Sequence, residues 1–320
     1  MTPRIQYNQK LADKWFAEQG LLADFPKVSS QVAVADLNRS KLHKGAYNCS
    51  ICKAGEKIYL AYRYHQDNSH RTRLAMAELD KNFIVLGNKE IALTGFSTED
   101  PRLFLFNGKL HLSWVDSSWN EKKAISIVKY GEMKDGVNWT VPKPLQPKYG
   151  QNDGTAQEKN WPFFQFGKDV GFIYRNDPLQ IVSLSGEGSK GHISSNSATW
   201  HWGEIKGGTA PISYKGKWLR FFHSTLDNEP FQHSRRYYLG SYLMEPNGQF
   251  KITSISKKPI VYGSSLDDMT QTEKLNCFHR KPKVVFPCGA MAGNGVIHVS
   301  VGINDCQCAI LNLKESDLNL

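Results

Sequence analysis

STEDPRLFLFNGKLHLSWV, residues 97–115, holds two patterns back to back. The first, Glu99-Asp100-Pro101-Arg102, sets two acids and a base around a proline. The second alternates over 102–106 and 109–115 and turns at Asn107-Gly108. Alternation with period two puts one face of each strand into a core, and an Asn-Gly pair readily supplies the two left-handed residues of a tight turn. The stretch reads as a β-hairpin with a charged cluster at its entrance.

The same order recurs outward along the chain. Alternating runs at 57–65, 169–175, 217–224, 236–244, 283–287 and 296–302 read as strands, punctuated by Gly55-Glu56, Gly167-Lys168, Lys215-Gly216, Asn247-Gly248 and Asn294-Gly295. A short polar or glycine-rich segment recurs at Asn48-Cys49-Ser50, Glu99-Asp100-Pro101, Glu158-Lys159-Asn160, Gly207-Gly208-Thr209 and Pro287-Cys288-Gly289. The intervals, roughly 50 to 80 residues, are close to the blade period of a propeller. An all-β, five-bladed β-propeller is therefore expected, with each polar segment at the inner end of its blade beside the central channel. Charge placed there faces a concave site, which an outer edge would not offer. A two-sheet sandwich is the competing architecture.

Residues 8–24 carry the one helical pattern, with Leu11, Trp15, Phe16, Gln19 and Leu22 near helical spacing. A short N-terminal helix is expected there. No long Pro/Ser-rich linker divides the chain, so 1–320 reads as one domain, with 1–44 as helix and lead-in and 45–318 as blades. Residues 185–198 and 263–276 are polar and read as rim loops.

The net charge is +10, with Lys and Arg spread along the chain. No nucleic-acid motif accompanies them, so a solvated basic surface is the plainer reading and an anionic substrate the more specific one. The first residues show no leader pattern and no apolar run reaches about 18 residues, so no membrane span and a cytoplasmic location are expected. The six cysteines, Cys49, Cys52, Cys277, Cys288, Cys306 and Cys308, fit no structural zinc spacing. They read as reduced thiols, and no metal or other cofactor is expected.

Five places along the chain are candidates for chemistry. Pro101 is expected to push Asp100 to an extended conformation, and Arg102 offers a planar fork to a carboxylate or an anionic ligand. Buried in a channel, Asp100 would have a raised pKa and act as a general acid; on a surface, the same four residues make an ordinary acidic turn. Lys159-Asn160-Trp161 combines a cation, an amide and a flat ring, which suits a sugar or phosphate, although a core tryptophan reads equally well. Gly208 and Thr209 permit close backbone approach, to a ligand or within a plain turn. His223 ends a strand, where a structural histidine is the commoner case, and Asp305 is a second carboxylate in the last blade. No nucleophile-elbow, P-loop or zincin motif is present.

These segments, in this order, resemble the five-bladed propellers of glycoside hydrolase family 130, the β-mannoside phosphorylases and hydrolases, over residues 45–315. Asn48-Cys49-Ser50 followed by YLAYR resembles the family's first-blade segment, with Arg63 in its Arg position. Glu99-Asp100-Pro101-Arg102 matches its most characteristic motif, and GGTAPISYKGKWLRFFHS (207–224) places His223 on the motif's His. YYLGSYLMEPNGQFKITSISKKPI (237–260) resembles the next strand pair, and VVFPCGAMAGNGVIHVSVGIND (284–305) the closing segment, with Asp305 at its Asp.

The resemblance implies an inverting enzyme with Asp100 as general acid. Asn48, Arg63, Arg102, Lys159, Asn160, Trp161, Gly208, Thr209, His223 and Asp305 would line the sugar site. Inorganic phosphate is the implied co-substrate of a phosphorylase, with Lys159 and Arg175 as its cations. Tyr174 stands where such phosphorylases tend to have His. A hydrolase would need a base, for which Glu204, Glu229 and Glu273 are candidates. The implied partner is an oligosaccharide or sugar phosphate, not nucleic acid or membrane. A glycosyltransferase of the same fold and a non-catalytic carbohydrate-binding propeller are the alternatives.

Overall fold

The computed structural model describes residues 32–35, 37, 41–66, 69, 71–93, 95–120, 123–134, 138–139, 158–184, 192–225, 236–262 and 284–320. The helix expected over 8–24, the rim loop at 263–276 and part of that at 185–198 lie outside these residues.

Among the described residues, five antiparallel sheets follow one another in chain order. Blade I runs from the axis outward as Tyr47–Ala54, Lys57–His65, Thr72–Leu79 and Val85–Glu90. Blade II is Ser97–Phe106, Lys109–Asn120, Lys123–Lys134 and Asn138–Trp139, and blade III is Phe163–Phe166, Asp169–Asn176, Leu179–Ser183 and His192–Ser194. Blade IV is Glu204–Gly208, Lys217–Thr225, Tyr237–Met244 and Ile252–Ile255, with short strands Ile212–Tyr214 and Val261–Tyr262 added to it. Blade V is Val285–Gly293, Val296–Ile303 and Gln307–Leu313.

The outermost strand of blade V is Ala33–Val34, from the other end of the chain. Val34 pairs with Leu311 and Ala33 with Asn312, and Ala35 N donates to Ile310 O at 2.9 Å. Residues read as lead-in thus close the ring. Opening it requires breaking a β ladder as well as an apolar face.

One two-residue turn per blade sits at the end of the axis away from the polar segments. Gly55-Glu56, Asn107-Gly108, Gly167-Lys168, Lys215-Gly216 and Asn294-Gly295 join Ala54 to Lys57, Phe106 to Lys109, Phe166 to Asp169, Tyr214 to Lys217 and Gly293 to Val296. Asn107 and Gly108 have φ of 49° and 73°, the conformation the Asn-Gly signal predicts.

The core is divided among the five junctions between blades. Leu74 and Ala61 meet Leu103 and Leu112 between blades I and II, and Phe104 and Val115 meet Phe163 and Phe172 between II and III. Ile173 and Ile181 meet Phe222 and Tyr242 between III and IV, and Leu219 and Phe221 meet Val299 and Val301 between IV and V. Leu60 and Ala77 meet Ile310 and Cys308 between V and I, completing the circle. Each fully buried Phe or Leu contributes about 1.5–3 kcal/mol. A sandwich has one shared core, so this division decides for the propeller.

Cys49, Cys52, Cys288 and Cys308 are free thiols, but Cys306 is disulfide-bonded, which corrects the expectation of reduced thiols throughout. No helix among the described residues is long and apolar enough to cross a membrane.

Candidate active site

Four of the five recurring polar segments share one backbone feature. The pairing between innermost and second strands breaks register between Tyr47 and Ser50, Glu99 and Arg102, Ile205 and Gly208, and Pro287 and Gly289. Such bulges re-aim a side chain that regular alternation would direct into the sheet face. In blades I and II the residue in the bulge is left-handed, Asn48 at φ 49° and Asp100 at φ 50°, so the bulge overrides the extended conformation expected of Asp100 before Pro101. Asn160, at φ 64°, takes the same conformation just before the innermost strand of blade III.

The first two side chains meet directly, and Arg102 links them to Asn160. Asn48 Nδ2 donates to Asp100 Oδ1 at 2.9 Å, and Arg63 Nη1 donates to the same oxygen at 2.8 Å. Arg63 Nη1 also lies 3.4 Å from Glu99 Oε2, and Lys159 Nζ lies 3.7 Å from that oxygen. Arg102 crosses beneath the cluster. It donates through Nη1 to the Asp100 carbonyl at 3.0 Å, through Nη2 to Asn160 Oδ1 at 3.2 Å and through Nε to Gly208 O at 3.1 Å. One guanidinium thereby ties blades II, III and IV together.

The strands approach closely enough to require glycine. A Cβ on Gly302 would stand 1.9 Å from Asn48 Oδ1, and one on Gly207 would stand 2.2 Å from Asn160 Cβ. The glycine pair of blade IV, read as room for a ligand, is thus room for neighbouring protein.

Asp100 is 7 % exposed. Burial by itself would raise its pKa, but Arg63, Arg102 and the hydrogen bonds from Asn48 and Arg63 outweigh burial and hold it at about 2. The rise expected from a buried channel therefore does not occur, because burial brings two guanidiniums with it. Asp100 rests as a carboxylate. His223 is held down to about 3 by burial and by the positive charges of Arg102 and Lys206. Burial raises the pKa of Glu158, against the pull of a Tyr174 hydrogen bond and of Arg175.

Among the residues singled out from the sequence, Asn48, Arg63, Asp100, Arg102, Lys159 and Asn160 form this cluster. Asp305 joins it from the hairpin turn after Val296–Ile303, where Asn304 and Asp305 are left-handed at φ 56° and 50°, and its charge acts on Tyr47 and Arg63. His223 lies behind the cluster, 4.8 Å from the Phe286 ring and stacked on Tyr237 at 5.3 Å. Trp161 corrects the reading of a sugar platform: it is 3 % exposed and stacks on Phe172 at 4.6 Å, within the core between blades II and III. Gly208 and Thr209 are likewise buried, and Thr209 N bonds to Phe221 O within blade IV. Arg175 is exposed, beside Glu158 and Tyr174. Glu204 is exposed and pairs with Lys206 at 3.5 Å, while Glu229 and Glu273 lie outside the described residues.

Three participants were given no role from the sequence, although Glu99 stands in the quoted motif. Glu99 bridges Arg63 and Lys159. Tyr47 lies under the Arg63 guanidinium, 4.5 Å from ring centroid to Cζ, and His65 bonds to Tyr47. Period two was the signal available for the last, since His65 follows Arg63 by two and shares its face. Carboxylates and cations here nearly balance, so the cluster offers acceptors and donors together. That arrangement suits a polyhydroxylated ligand.

No family model matches the chain. A 116-residue segment is 28 % identical to a β-1,2-mannobiose phosphorylase from Listeria innocua, covering 36 % of this chain and only 29 % of that relative. The solved structure of a β-1,2-mannobiose phosphorylase from Listeria innocua, in complex with β-1,2-mannobiose, aligns with TM-score 0.62 at 16 % identity, over 89 % of this chain and 95 % of the other. A glycosyl hydrolase from Bacteroides ovatus aligns with TM-score 0.61 at 10 % identity over 92 % of both chains. A mannose phosphorylase from Leishmania mexicana, in complex with phosphate, aligns with TM-score 0.57 at 13 % identity over 96 % of this chain and 95 % of that one. The chain resembles glycoside hydrolase family 130 in its five-bladed fold.

Proposed function

We propose that the protein is an enzyme that cleaves or forms β-mannosidic bonds with inversion, using Asp100 as its acid. The observation that carries this reading is the buried Asp100 carboxylate in a left-handed bulge, gripped by Asn48 and Arg63 where the blades converge. Strained residues of this kind persist where the surroundings over-determine them, and they cluster at functional sites. The similarity to a mannobiose phosphorylase and the likeness in fold support the choice of substrate class.

In the proposed reaction the bond between the anomeric carbon and the glycosidic oxygen breaks. A nucleophile attacks the carbon from the opposite side, and the departing oxygen takes a proton. Asp100 rests ionised, so it accepts hydrogen bonds from sugar hydroxyls and takes its proton in the complex from solvent, to which the attacking hydrogen phosphate or water returns one. Sugar hydroxyls that displace water from the carboxyl strengthen the effect of burial and raise its affinity for a proton. If phosphate attacks, the product is mannose 1-phosphate and no base is needed. Lys159, at the cluster, and exposed Arg175 are the cations proposed to meet it.

Turnover of a panel of β-mannosides, with and without inorganic phosphate, tests the proposal. Phosphate-dependent release of mannose 1-phosphate supports phosphorolysis, and release of free mannose without phosphate supports hydrolysis. Absence of turnover in both arms overturns the reading in favour of transfer or binding.

A further inference from the structure

Two polar side chains beside Arg63 have no part in the reaction above. Tyr47, 2 % exposed, pairs in register with Arg63 and lies 4.5 Å beneath its guanidinium. Its hydroxyl lies 3.1 Å from His65 Nε2, and the two rings stack at 5.4 Å and 18°. His65 Nδ1 lies 3.0 Å from the Ser69 carbonyl. That carbonyl is itself fixed, since Ser69 N bonds to Gln66 O at 2.9 Å and Ser69 Oγ to the same oxygen at 2.7 Å.

With His65 neutral, the chemistry of these groups sets the direction of each proton. A carbonyl only accepts, so His65 Nδ1 carries the hydrogen. In the neutral ring Nε2 is then an acceptor. Burial raises the pKa of Tyr47, with Arg63 opposing and Asp305, Asp100 and Glu99 reinforcing the rise, so its hydroxyl keeps its proton and donates. The chain runs Tyr47 O–H to His65 Nε2, and His65 Nδ1–H to Ser69 O. Arg63 needs such support, because its buried Nε makes no hydrogen bond. The ring beneath it and the carboxylates ahead of it are what hold the guanidinium.

We infer that Tyr47 and His65 are a positioning pair for Arg63, fixing the aromatic surface from which its Nη1 reaches Asp100 at 2.8 Å. The inference rests on the proposed function only for its kinetic consequence. Tyr47→Phe keeps the ring under Arg63 and removes the hydroxyl, and His65→Gln removes the imidazole. Each should lower kcat on a β-mannoside by about ten- to a hundredfold, the scale of a small misplacement near the reacting centre, with KM little changed. The double variant should be no slower than the slower single variant, because the two act as a unit.

The structural half is read without substrate, by ¹⁵N NMR of histidine-labelled protein, with the His65 signals identified by their loss in His65→Gln. The Nδ1–H tautomer is expected, with the Nε2 resonance displaced in Tyr47→Phe. An Nε2–H tautomer, or an Nε2 resonance indifferent to Tyr47→Phe, overturns the pair. Kinetic effects that multiply in the double variant overturn its acting as a unit. If wild type turns over no mannoside, the proposed function fails, and the NMR result still decides the pair.

Discussion

Asn48 and Asp100 occupy the same place in neighbouring blades. Both are left-handed, at φ 49° and 50°, both sit where the innermost strand slips register, and Asn48 Nδ2 donates to Asp100 Oδ1 at 2.9 Å. An isolated non-glycine residue in this region costs about 1–3 kcal/mol. The strain is sustained by the closed ring, which presses blade V against the other side of Asn48 through Gly302.

Asp100→Asn keeps the size and the left-handed backbone preference of the residue but cannot ionise or serve as an acid. Turnover of the active β-mannoside should fall about 10²–10⁴-fold, the usual worth of a general acid. Far-ultraviolet circular dichroism should match wild type. A variant of undiminished activity removes Asp100 from the mechanism.

Acid stability should show two windows. The folded-state pKa of Asp100 is lowered from 3.8 to about 2, so its contribution is present above pH 3.8 and is lost as pH falls toward 2. That is worth roughly 2–3 kcal/mol. His223 is lowered from 6.5 to about 3, so it stays neutral when folded and takes a proton when unfolded. Its effect is a loss of stability as pH falls below 6.5, roughly 2–3 kcal/mol by about pH 4.5. Urea midpoints measured from pH 7 to pH 2.5 should flatten in the upper window for His223→Gln and in the lower one for Asp100→Asn. Unchanged slopes in both variants would refute the assignment.

Gly302→Ala and Gly293→Ala make a matched pair. At Gly302 the new methyl meets Asn48 Oδ1 at 1.9 Å, whereas at Gly293 nothing lies within 4 Å. Gly302→Ala should cost about 1–3 kcal/mol and reduce activity, because Asn48 must leave Asp100. Gly293→Ala should leave both unchanged. Equal melting temperatures for the two would show that Asn48 yields without cost.

Arg63→Met leaves Asp100 buried with one fewer partner. Breaking a pair whose side chains are 14 % and 9 % exposed should cost about 3–5 kcal/mol. Lys57→Met breaks the pair with Glu78, whose side chains are 58 % and 37 % exposed, and should cost about 0–1 kcal/mol. Denaturant titration of the two variants measures the contrast. Similar small losses would mean that Asp100 is better solvated than its burial indicates.

Much of the fold was legible along the chain. Strand alternation and two-residue turns are local properties, written within ten or so residues, and the five hairpins, one per blade, that lead into the second strands turn at pairs identifiable in advance. The five polar segments were visible as a repeat because every blade solves the same problem at the axis. The closing strand Ala33–Val34 was not legible, since two residues carry no periodicity and their partner lies at the other end of the chain.

Within the site, the sequence by itself determined which residue types stand at the start of each innermost strand. Only the tertiary structure decided what each would do. Trp161 became core and Lys159 did not, although they lie two apart, because Trp161 packs into the junction of two blades and Lys159 reaches Glu99. Arg102 found acceptors on Asn160 and Gly208, 58 and 106 residues away. Asp100 became a firmly ionised carboxylate rather than a raised one because closure of the ring brought Arg63 and Arg102 to it. A pKa depends on which charges share the desolvated space, and that is settled by packing between blades, which local pattern does not contain.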